Sequence, residues 1–519
     1  MLRVGIDVGG TNTDAALLRG DEVLAVTKQT TTADVTSGIV ASLAELSSQH
    51  QFEPGALAAI MIGTTHFTNA VLQARALSRV GVIRLCLPET AAVPPMLEWP
   101  SLLSEAVAAD VHLCHGGNEF DGRTISAIRP EEIAHAIGSF ARKGIASVAV
   151  TSVFSPLSAD HELRVAQQVQ AAMPDAHISL SHTLGRIGLL ERENATIINA
   201  CLRPLAIKVC DAFIAALTAA GIDAPLYVSQ NDGTLMDVEF CRNYPVATFA
   251  SGPTNSMRGA AFLSGVSDCV VVDIGGTTTD VGVLVRGFPR QAGTAVDLGG
   301  VRSNFRMPDV FSIALGGGSL IRPGDESVSV GPSSVGFELT SRALTFGGAE
   351  LTASDLAVAG GRAAFGRPEL LAGVPADVIE RGLRAIDESV SDAVDRVRTS
   401  AEPLPVVVVG GGSVLLGDGL PGSGELIRPR HYGVANAVGA AIAKIGAEVD
   451  RIFAVDGQTR SRVLGQAKSE AVSKAAAAGA RAGSIEIYEV EEIPLTYLPG
   501  NAVRIRVKAV GDLEMGSHA

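Results

Sequence analysis

Near the start of the chain the eight residues from Asp7 to Asp14 read DVGGTNTD, and 266 residues later Asp273 to Asp280 read DIGGTTTD. Six of the eight positions are identical. Each copy follows an apolar strand-like run (LRVGIDV, CVVVDIG) and leads into another (DAALLRG, DVGVLVRG). One copy alone would pass for a β-hairpin, because glycines between two such runs are a good turn signal. Two copies half a chain apart imply a duplicated lobe. The length agrees, since 519 residues exceed the roughly 250 to 300 at which a single hydrophobic core stops growing.

Around these turns the pattern is that of an α/β protein. Three short strands run to about Thr32, a helix is expected from Asp34 to Ser48, and LAAIMIGTT reads as a strand entering a loop and the helix HFTNAVLQARA. Between Pro88 and Pro130 the alternation loosens into what reads as an inserted hairpin and loop region. From Pro130 the chain returns to helix, strand, helix, strand up to His182, the βαβ rhythm of a helix-covered sheet. A long helical stretch with one proline, Pro204, spans Glu191 to Ala220, and four consecutive valines before Gly410 read as a strand buried on both faces. The expected division is a first lobe over 1–190 with an insertion near 88–130 and a second lobe over 191–450. Helices near 191–220 and 433–447 are placed to cross between them, and 451–519 form a small C-terminal α+β unit.

Charge and cysteine usage exclude several classes. Against 55 acidic residues stand 41 basic ones, a net charge of −14 that offers no footprint for nucleic acid. Phosphate must then be held locally, by backbone N–H groups, side-chain cations or a metal ion. The six cysteines form no C-x-x-C pair and no zinc spacing, which points to reduced, buried thiols. Strand character from Leu2 leaves no room for a signal peptide, and no run of 18 uncharged apolar residues occurs. A cytoplasmic protein without membrane contact is expected.

Glycine admits backbone N–H groups close to a phosphate, and threonine hydroxyls add donors. Gly9, Gly10, Thr11 and Asn12 in the first turn, with Gly275, Gly276, Thr277 and Thr278 in the second, therefore suit the phosphates of a nucleoside triphosphate. A carboxylate beside a polyphosphate needs a cation between them, and Mg²⁺ bridges carboxylates to phosphate oxygens while keeping several waters. Asp7 and Asp273, each ending its strand, are placed to hold that ion or another divalent metal. Asp14 and Asp280 fit either such a role or plain turn capping. The site is neither a P-loop nor a dinucleotide fingerprint, since G-x-x-x-x-G-K-[ST] and a G-x-G-x-x-G after a strand are both absent from these loops. Gly410, Gly411 and Gly412, after the valine strand, would let a flat adenosine lie against backbone, or would serve only a strand-to-helix turn.

Two strand–turn–strand phosphate loops and a late glycine-rich loop resemble the actin, Hsp70 and sugar-kinase superfamily. More narrowly, residues 1 to about 450 resemble the hydantoinase A and 5-oxoprolinase family. The resemblance is carried by DVGGTNTD, IGTTHFTNAVLQ, HGGNEFDGR, SQNDGTLM, ASGPTNSMRGA, VDIGGTTTDVGV, LGGGS and VANAVGAAIA, in that order. It departs from the family in SGPTNSMRG, which lacks a second glycine-rich stretch, and in ending short of the long C-terminal region of the larger members.

The resemblance implies two actin-like, ribonuclease H-like lobes around an ATP cleft and ATP-dependent opening of a cyclic amide such as a hydantoin or 5-oxoproline. In that chemistry Asp7, Asp273, Thr11 and Thr277 would be catalytic. His66, Asn69, Asn231, Asp232 and Asp309 fall in loops of the resembling blocks and are candidate substrate residues, although a lone histidine or asparagine in a loop more often serves a turn or packing. His112 and His115 with Asp121 have a loose metal-ligand spacing. Expected partners are the small-molecule substrate, a second hydantoinase-type subunit and further copies in an oligomer. Two alternatives share every nucleotide motif: a kinase acting on a small hydroxyl compound, and an ATPase subunit that activates a partner enzyme, including ketone-carboxylase-like systems.

Overall fold

The computed structural model describes residues 1–9, 12–30, 35–120, 122–293, 295–305, 307–324, 327–400, 402–454, 459–495 and 502–514. The chain opens with the antiparallel meander β1 (Leu2–Val8), β2 (Asn12–Arg19) and β3 (Glu22–Thr30), followed by α1 (Val35–Gln49), β4 (Leu57–Thr64) and α2 (His66–Leu72). A second group comprises β5 (Val80–Leu87), α3 (Ser101–Val107), β6 (Asp110–His115), α4 (Pro130–Lys143), β7 (Ser147–Ser152), α5 (Asp160–Ala172) and β8 (His177–Leu180). The long α6 (Leu189–Ala219) then leads to β9 (Leu226–Ser229), β10 (Thr234–Asp237), α7 (Val238–Asn243) and α8 (Ser251–Ser264).

The second copy of the glycine turn lies between β11 (Cys269–Ile274) and β12 (Thr279–Val285). It is followed by β13 (Val310–Ile313), α9 (Ala376–Val397), β14 (Val406–Val409) and β15 (Leu426–Ile427). The chain closes with α10 (Ala435–Ala441), β16 (Lys444–Ala454), α11 (Thr459–Ala477), β17 (Glu486–Pro494) and β18 (Ala502–Gly511).

These elements build two related sheets. The larger has nine strands in the order β17-β18-β16-β10-β9-β4-β1-β2-β3. The smaller has six and repeats the central pattern of the first: β11 pairs antiparallel with β12 and parallel with β14, as β1 pairs antiparallel with β2 and parallel with β4. Valines 406–409 are fully buried, as a strand covered on both faces requires. Sheet membership does not follow the division at 190/191, because β9 and β10 return to the first sheet. The C-terminal α+β piece attaches edge-on, with β16, β17 and β18 extending that same sheet.

The expected inserted hairpin and loop region between Pro88 and Pro130 is present in part, since Asn118 and Thr124 form an antiparallel bridge with Glu119 N–H donating to Arg123 O at 2.7 Å, but the strand before it is parallel, which the sequence pattern does not foretell. β6 pairs parallel with β5 and edges a separate four-stranded sheet, β6-β5-β7-β8. Parallel pairing needs a crossover, which the long irregular connection with α3 supplies. In that layer α4 shows why its sequence is helical: Pro130 opens it, Glu131 and Glu132 sit in its first turn, Arg142 and Lys143 in its last, and Gly144 closes it in the left-handed region.

Two helices cross between the large sheets. α10 packs on β1, β2 and β4 of the first, whereas α8 packs on β11 and β14 of the second as well as on β4. They approach each other backbone to backbone. A Cβ on Gly259 would lie 1.9 Å from the Ala435 carbonyl oxygen, and one on Gly439 would lie 1.8 Å from that of Asn255. The small residues of ASGPTNSMRGA and VANAVGAAIA thus bring the two lobes together at the ends of their central strands.

Candidate functional site

The C-terminal ends of the parallel strands β1, β4 and β9 in one sheet, and of β11 and β14 in the other, meet around the two glycine turns. Open α/β sheets bind their ligands outside the carboxyl ends of their strands. Both hairpins are closed by the same hydrogen bond, Gly9 N–H to Asn12 O at 3.0 Å and Gly275 N–H to Thr278 O at 2.9 Å. In both, the two aspartates stand directly opposite each other, Asp7 beside Asp14 and Asp273 beside Asp280. Gly10 and Thr11 lie outside the described residues.

In the first turn Asp7 is buried, and its Oδ2 accepts from Asn436 Nδ2 at 3.0 Å. The same amide donates to Asp14 Oδ2 at 2.9 Å, and Lys28 Nζ lies 2.6 Å from Asp14 Oδ1. Asp7 Oδ1 has no hydrogen-bond partner. Gly63 keeps the space beside it, since a Cβ there would lie 2.4 Å from that oxygen. Loss of hydration, and then the neighbouring Asp14, push the Asp7 carboxyl up to about 7.

In the second turn Gly276, Thr277 and Thr278 are exposed. Their backbone is supported from behind by LGGGS, where Gly317 N–H and Gly318 N–H donate to the carbonyls of Gly275 and Gly276 at 3.0 and 2.8 Å. Burial pushes Asp273 up to about 6, with Asp280 and Asp14 adding to it and the Ser256 hydroxyl and Lys28 opposing. Asp280 accepts from the Ser312 hydroxyl, and burial raises its carboxyl too. Asp273 is close enough to act on Asp7, and Lys28 acts on both. The two turns therefore lie near one another.

The third glycine loop adjoins the second turn, because Val409 is the register partner of Asp273. A Cβ on Gly410, where φ is +84°, would lie 2.2 Å from Asp273 Oδ1, and one on Gly412 would meet Ile274 Cγ2 at 2.6 Å. Gly411 is exposed, and a Cβ there would meet nothing within 4 Å. Gly410 and Gly412 are thus required by packing, whereas Gly411 borders open space.

The candidate substrate residues divide. His66 begins α2 beside the first turn, for Thr64 is the register partner of Val8 and its hydroxyl lies 2.7 Å from His66 Nδ1. Burial lowers the pKa of that imidazole. Asn69, one helical turn on, reaches only Thr65 Oγ1 at 3.4 Å. Asn231 accepts from Ala250 N–H at 2.9 Å and donates to Val246 O at 3.0 Å, so it fixes the start of α8.

Asp232 pairs with Lys508 Nζ at 2.7 Å. Burial would raise that carboxyl, but Lys508 and Thr234 hold it far below the usual range. Asp309 lies beside β12, its carbonyl oxygen facing Gly282. It pairs with Arg290 at 2.8 Å, and it precedes β13, in which Ser312 is the residue opposite Asp280. His112 and His115 face different carboxylates, Asp110 at 3.4 Å and Glu132 at 2.7 Å, and Asp121 lies outside the described residues.

Sequence patterns missed Lys28, Asn436, Ser256 and Ser312. Lys28 carried a weak signal, as the residue opposite Asp14 on β3. Asn436 carried a better one: it is the polar residue in the otherwise small and apolar VANAVGAAIA.

Among the described residues no three His, Cys, Asp or Glu side chains converge closely enough to chelate a metal ion directly. The unpartnered Asp7 Oδ1 and the raised Asp7 and Asp273 instead fit a hydrated divalent cation held through its waters. Among the described residues no helix is long and apolar enough to cross a membrane, and all six cysteines are buried and free.

Comparison with known proteins agrees with this architecture. Caprolactamase subunit alpha of Pseudomonas jessenii is 27% identical over 434 residues, which cover 78% of this chain and 59% of that protein. The acetophenone carboxylase gamma subunit of Aromatoleum aromaticum is 26% identical over 245 residues, 44% of this chain and 33% of that subunit. The chain thus spans less than two thirds of the length of the curated relatives it matches. The crystal structure of the ATP-dependent caprolactamase from Pseudomonas jessenii superposes with a TM-score of 0.80 at 19% identity, over 99% of this chain and 88% of that one. The nucleotide-free structure of acetone carboxylase gives 0.69 at 17% identity with the same coverage. Residues 3–173 match the hydantoinase/oxoprolinase N-terminal region and residues 192–365 the hydantoinase/oxoprolinase domain. The chain belongs to the hydantoinase/oxoprolinase family.

Proposed function

We propose that the chain binds ATP between its two glycine turns and uses the terminal phosphoryl group to open a cyclic amide. The observation that carries the reading is the pair of matched hairpins, in which Asp7 and Asp273 occupy the same place at the end of corresponding strands. Two acids raised to about 7 and 6 are a poor arrangement by themselves and a good one around a cation. The similarity to an ATP-dependent caprolactamase supports the same reaction class.

An amide is a poor electrophile because of its resonance. Its oxygen attacks the γ-phosphorus and the bond to ADP breaks, leaving an imidate-like phosphate. Water then attacks the former carbonyl carbon, the ring C–N bond breaks with the nitrogen leaving as the amine, and a second water hydrolyses the resulting acyl phosphate to a carboxylate and inorganic phosphate. In this reading Gly275, Gly276, Thr277 and Thr278 donate to the phosphoryl oxygens, with Gly9, Gly10, Thr11 and Asn12 opposite, and Gly411 borders the adenosine. Asp7 and Asp273 would hold Mg²⁺, which would supply charge neutralisation when bound. Most of the catalysis is positioning and electrostatic stabilisation. His66 and Asn69, beside the first turn, are the substrate contacts this reading favours.

A subunit role is the second reading. The relatives are named as subunits, and the chain covers 59% of the caprolactamase subunit. A second hydantoinase-type subunit in a cytoplasmic oligomer would complete the ring-opening step. The test is ADP release against a panel of lactams, hydantoins, 5-oxoproline and ketones, with and without co-expressed partner subunits. Equal amounts of ADP, phosphate and ring-opened product are expected. A stable phosphorylated product would replace the hydrolase reading by the kinase.

A further inference from the structure

A groove of about 1140 Å³ runs beside β10 and β16, walled by the loop from His182 to Ile187, by Asn231 and Asp232, and by Asp450 and Arg504. Its charged walls are almost entirely neutralised internally. Arg504 pairs with Asp450, Arg451 with Glu470 at 2.8 Å, Lys474 with Glu470 at 3.1 Å, and Asp232 with Lys508 at 2.7 Å. Arg186 is the cation left unpaired, and Asp237, whose carboxylate caps α7 through Phe240 N–H, is the lining acid without an ion pair among the described residues. Among the described residues no carboxylate lies within ion-pair distance of its guanidinium, and its Nε is buried without a hydrogen-bond partner. Asp450 and Glu491 act on it only through space, against burial and the like charges of Arg504 and Arg506, and the balance lowers its pKa.

The loop bearing Arg186 is built rather than loose. The fully buried Arg192 guanidinium donates to the carbonyls of Arg186, Ile187 and Gly188 at 2.8, 2.6 and 3.2 Å and to that of Ser152 at 2.7 Å. The same scaffold sets His182. The buried Glu162 carboxylate accepts from Ser152 N–H, the Ser181 hydroxyl and His182 N–H, and its Oε2 lies 2.6 Å from His182 Nδ1. An acceptor at Nδ1 places the ring proton there and leaves Nε2, on a residue lining the groove, for another partner.

We propose that this groove is a binding site for a small carboxylate that also carries a proton donor, the carboxylate on Arg186 and the donor on His182 Nε2. A guanidinium takes a carboxylate through two parallel N–H···O bonds, and a lone one in a wall whose other cations are paired selects an anion. The site is separate from the glycine turns and does not depend on the nucleotide reading. Glu162 is a positioning residue for it.

The test is calorimetric titration of the full chain, without nucleotide, with ω-hydroxycarboxylates from glycolate to 6-hydroxyhexanoate. The plain carboxylates and plain alcohols of matching length are the controls. At least one hydroxycarboxylate is expected to bind with one-to-one stoichiometry, at least tenfold more tightly than its plain carboxylate and with the alcohol not binding. Arg186→Gln should weaken both carboxylate series at least tenfold, and His182→Ala only the hydroxylated one, with ADP affinity unchanged in both variants. Should His182→Ala fold poorly, the wild-type ring answers instead: the ¹⁵N resonance of His182 Nε2 should shift on saturation with the hydroxycarboxylate and not with the plain carboxylate. No binding across the series, binding indifferent to Arg186→Gln, or an unmoved His182 resonance would overturn the proposal.

Discussion

The two copies of the glycine turn share a closing hydrogen bond and a strand register and differ in what holds their acids. In the first, one amide from α10, Asn436, donates to both Asp7 and Asp14, and Lys28 pairs with Asp14. In the second, among the described residues, hydroxyls face the acids, Ser256 from α8 at Asp273 and Ser312 from β13 at Asp280, and Lys28 acts on Asp273 only through space. Each copy thus receives one polar side chain from the crossing helix packed on its own sheet, but the first is tied by an amide and an ammonium group and the second is lightly held. The repeat supplies the geometry, and the crossing helices set the charge. On the proposed reading the lightly held copy, whose Gly276 to Thr278 are exposed, is placed to respond to a reacting phosphoryl group.

The largest expected effect follows from removing the acid at the centre of that lightly held copy. Asp273→Ala should lower ATP turnover by two to four decades, on the order of 3 to 5 kcal/mol of barrier. ADP affinity should fall far less, because the backbone donors of both turns remain. Steady-state ADP release and equilibrium ADP binding separate the two effects. If Asp273→Ala turned over ATP normally while Asp280→Ala, still folded, did not, the roles of the two acids in the second copy would be exchanged.

The next prediction uses pH to compare the copies. Both central acids are raised in the folded protein, Asp7 to about 7 and Asp273 to about 6. Between the ordinary value of 3.8 and these values the folded state binds more protons than the unfolded one, so stability falls as pH rises from about 4 through 7. For Asp7 the full effect is on the order of 4 kcal/mol as an upper limit. The nucleotide-free protein should therefore melt lower at pH 8 than at pH 5, and the loss should be smaller in Asp7→Asn. A divalent cation with ADP competes with those protons, so its upward shift in Tm should be greater at pH 8. A Tm that rises from pH 5 to pH 8 without ligand, and does so equally in Asp7→Asn, would contradict the raised acid in the first copy.

How much of this was legible in the sequence depends on how local each signal is. The turns, the valine strand and α4 are written in consecutive residues, and the structure places them as their patterns imply. Edge pairing is not local. Nothing in the run from Ala502 to Gly511 announces that it will lie beside Lys444–Ala454 on the first sheet, and parallel pairing of β6 with β5 carries no turn signal at all. The site shows the same limit. Asp7 and Asp273 stood out because the motif repeats, whereas Asn436 reaches its aspartates from an element distant in sequence and Lys28 reaches Asp14 through the register of the adjoining strand. Asp232 and Asp309 sat in suggestive blocks, yet each is engaged by a cation, Lys508 or Arg290, that no spacing could foretell.

The third loop sharpens the comparison from the nucleotide side. Gly411→Val adds a side chain into open space, so the fold should survive while ADP affinity falls about tenfold or more, near 1.4 kcal/mol. Gly410→Val instead forces a β-branched residue into the left-handed region and against Asp273 Oδ1, so it should lower Tm as well as affinity. Unchanged ADP affinity in a folded Gly411→Val protein would reduce the three glycines to a turn.

The smallest effect concerns the outer acids. Asp280 loses one hydrogen bond on truncation to alanine, and its partner Ser312 is exposed and can return to water, so Asp280→Ala should cost about 1 kcal/mol. Asp14→Ala removes two contacts, but Lys28 is exposed enough for water to screen much of its pairing, and removing Asp14 also relieves the repulsion that raises Asp7. The net cost should be about 2 kcal/mol, with the surviving Asp7 titrating closer to the ordinary carboxylate range. Denaturant melts of the two variants, read beside the pH dependence of Tm, decide the matter. If Asp14→Ala proved no more costly than Asp280→Ala and left the pH dependence of Tm untouched, the amide and ammonium group that distinguish the first copy would be decoration, and the two turns would be energetically alike.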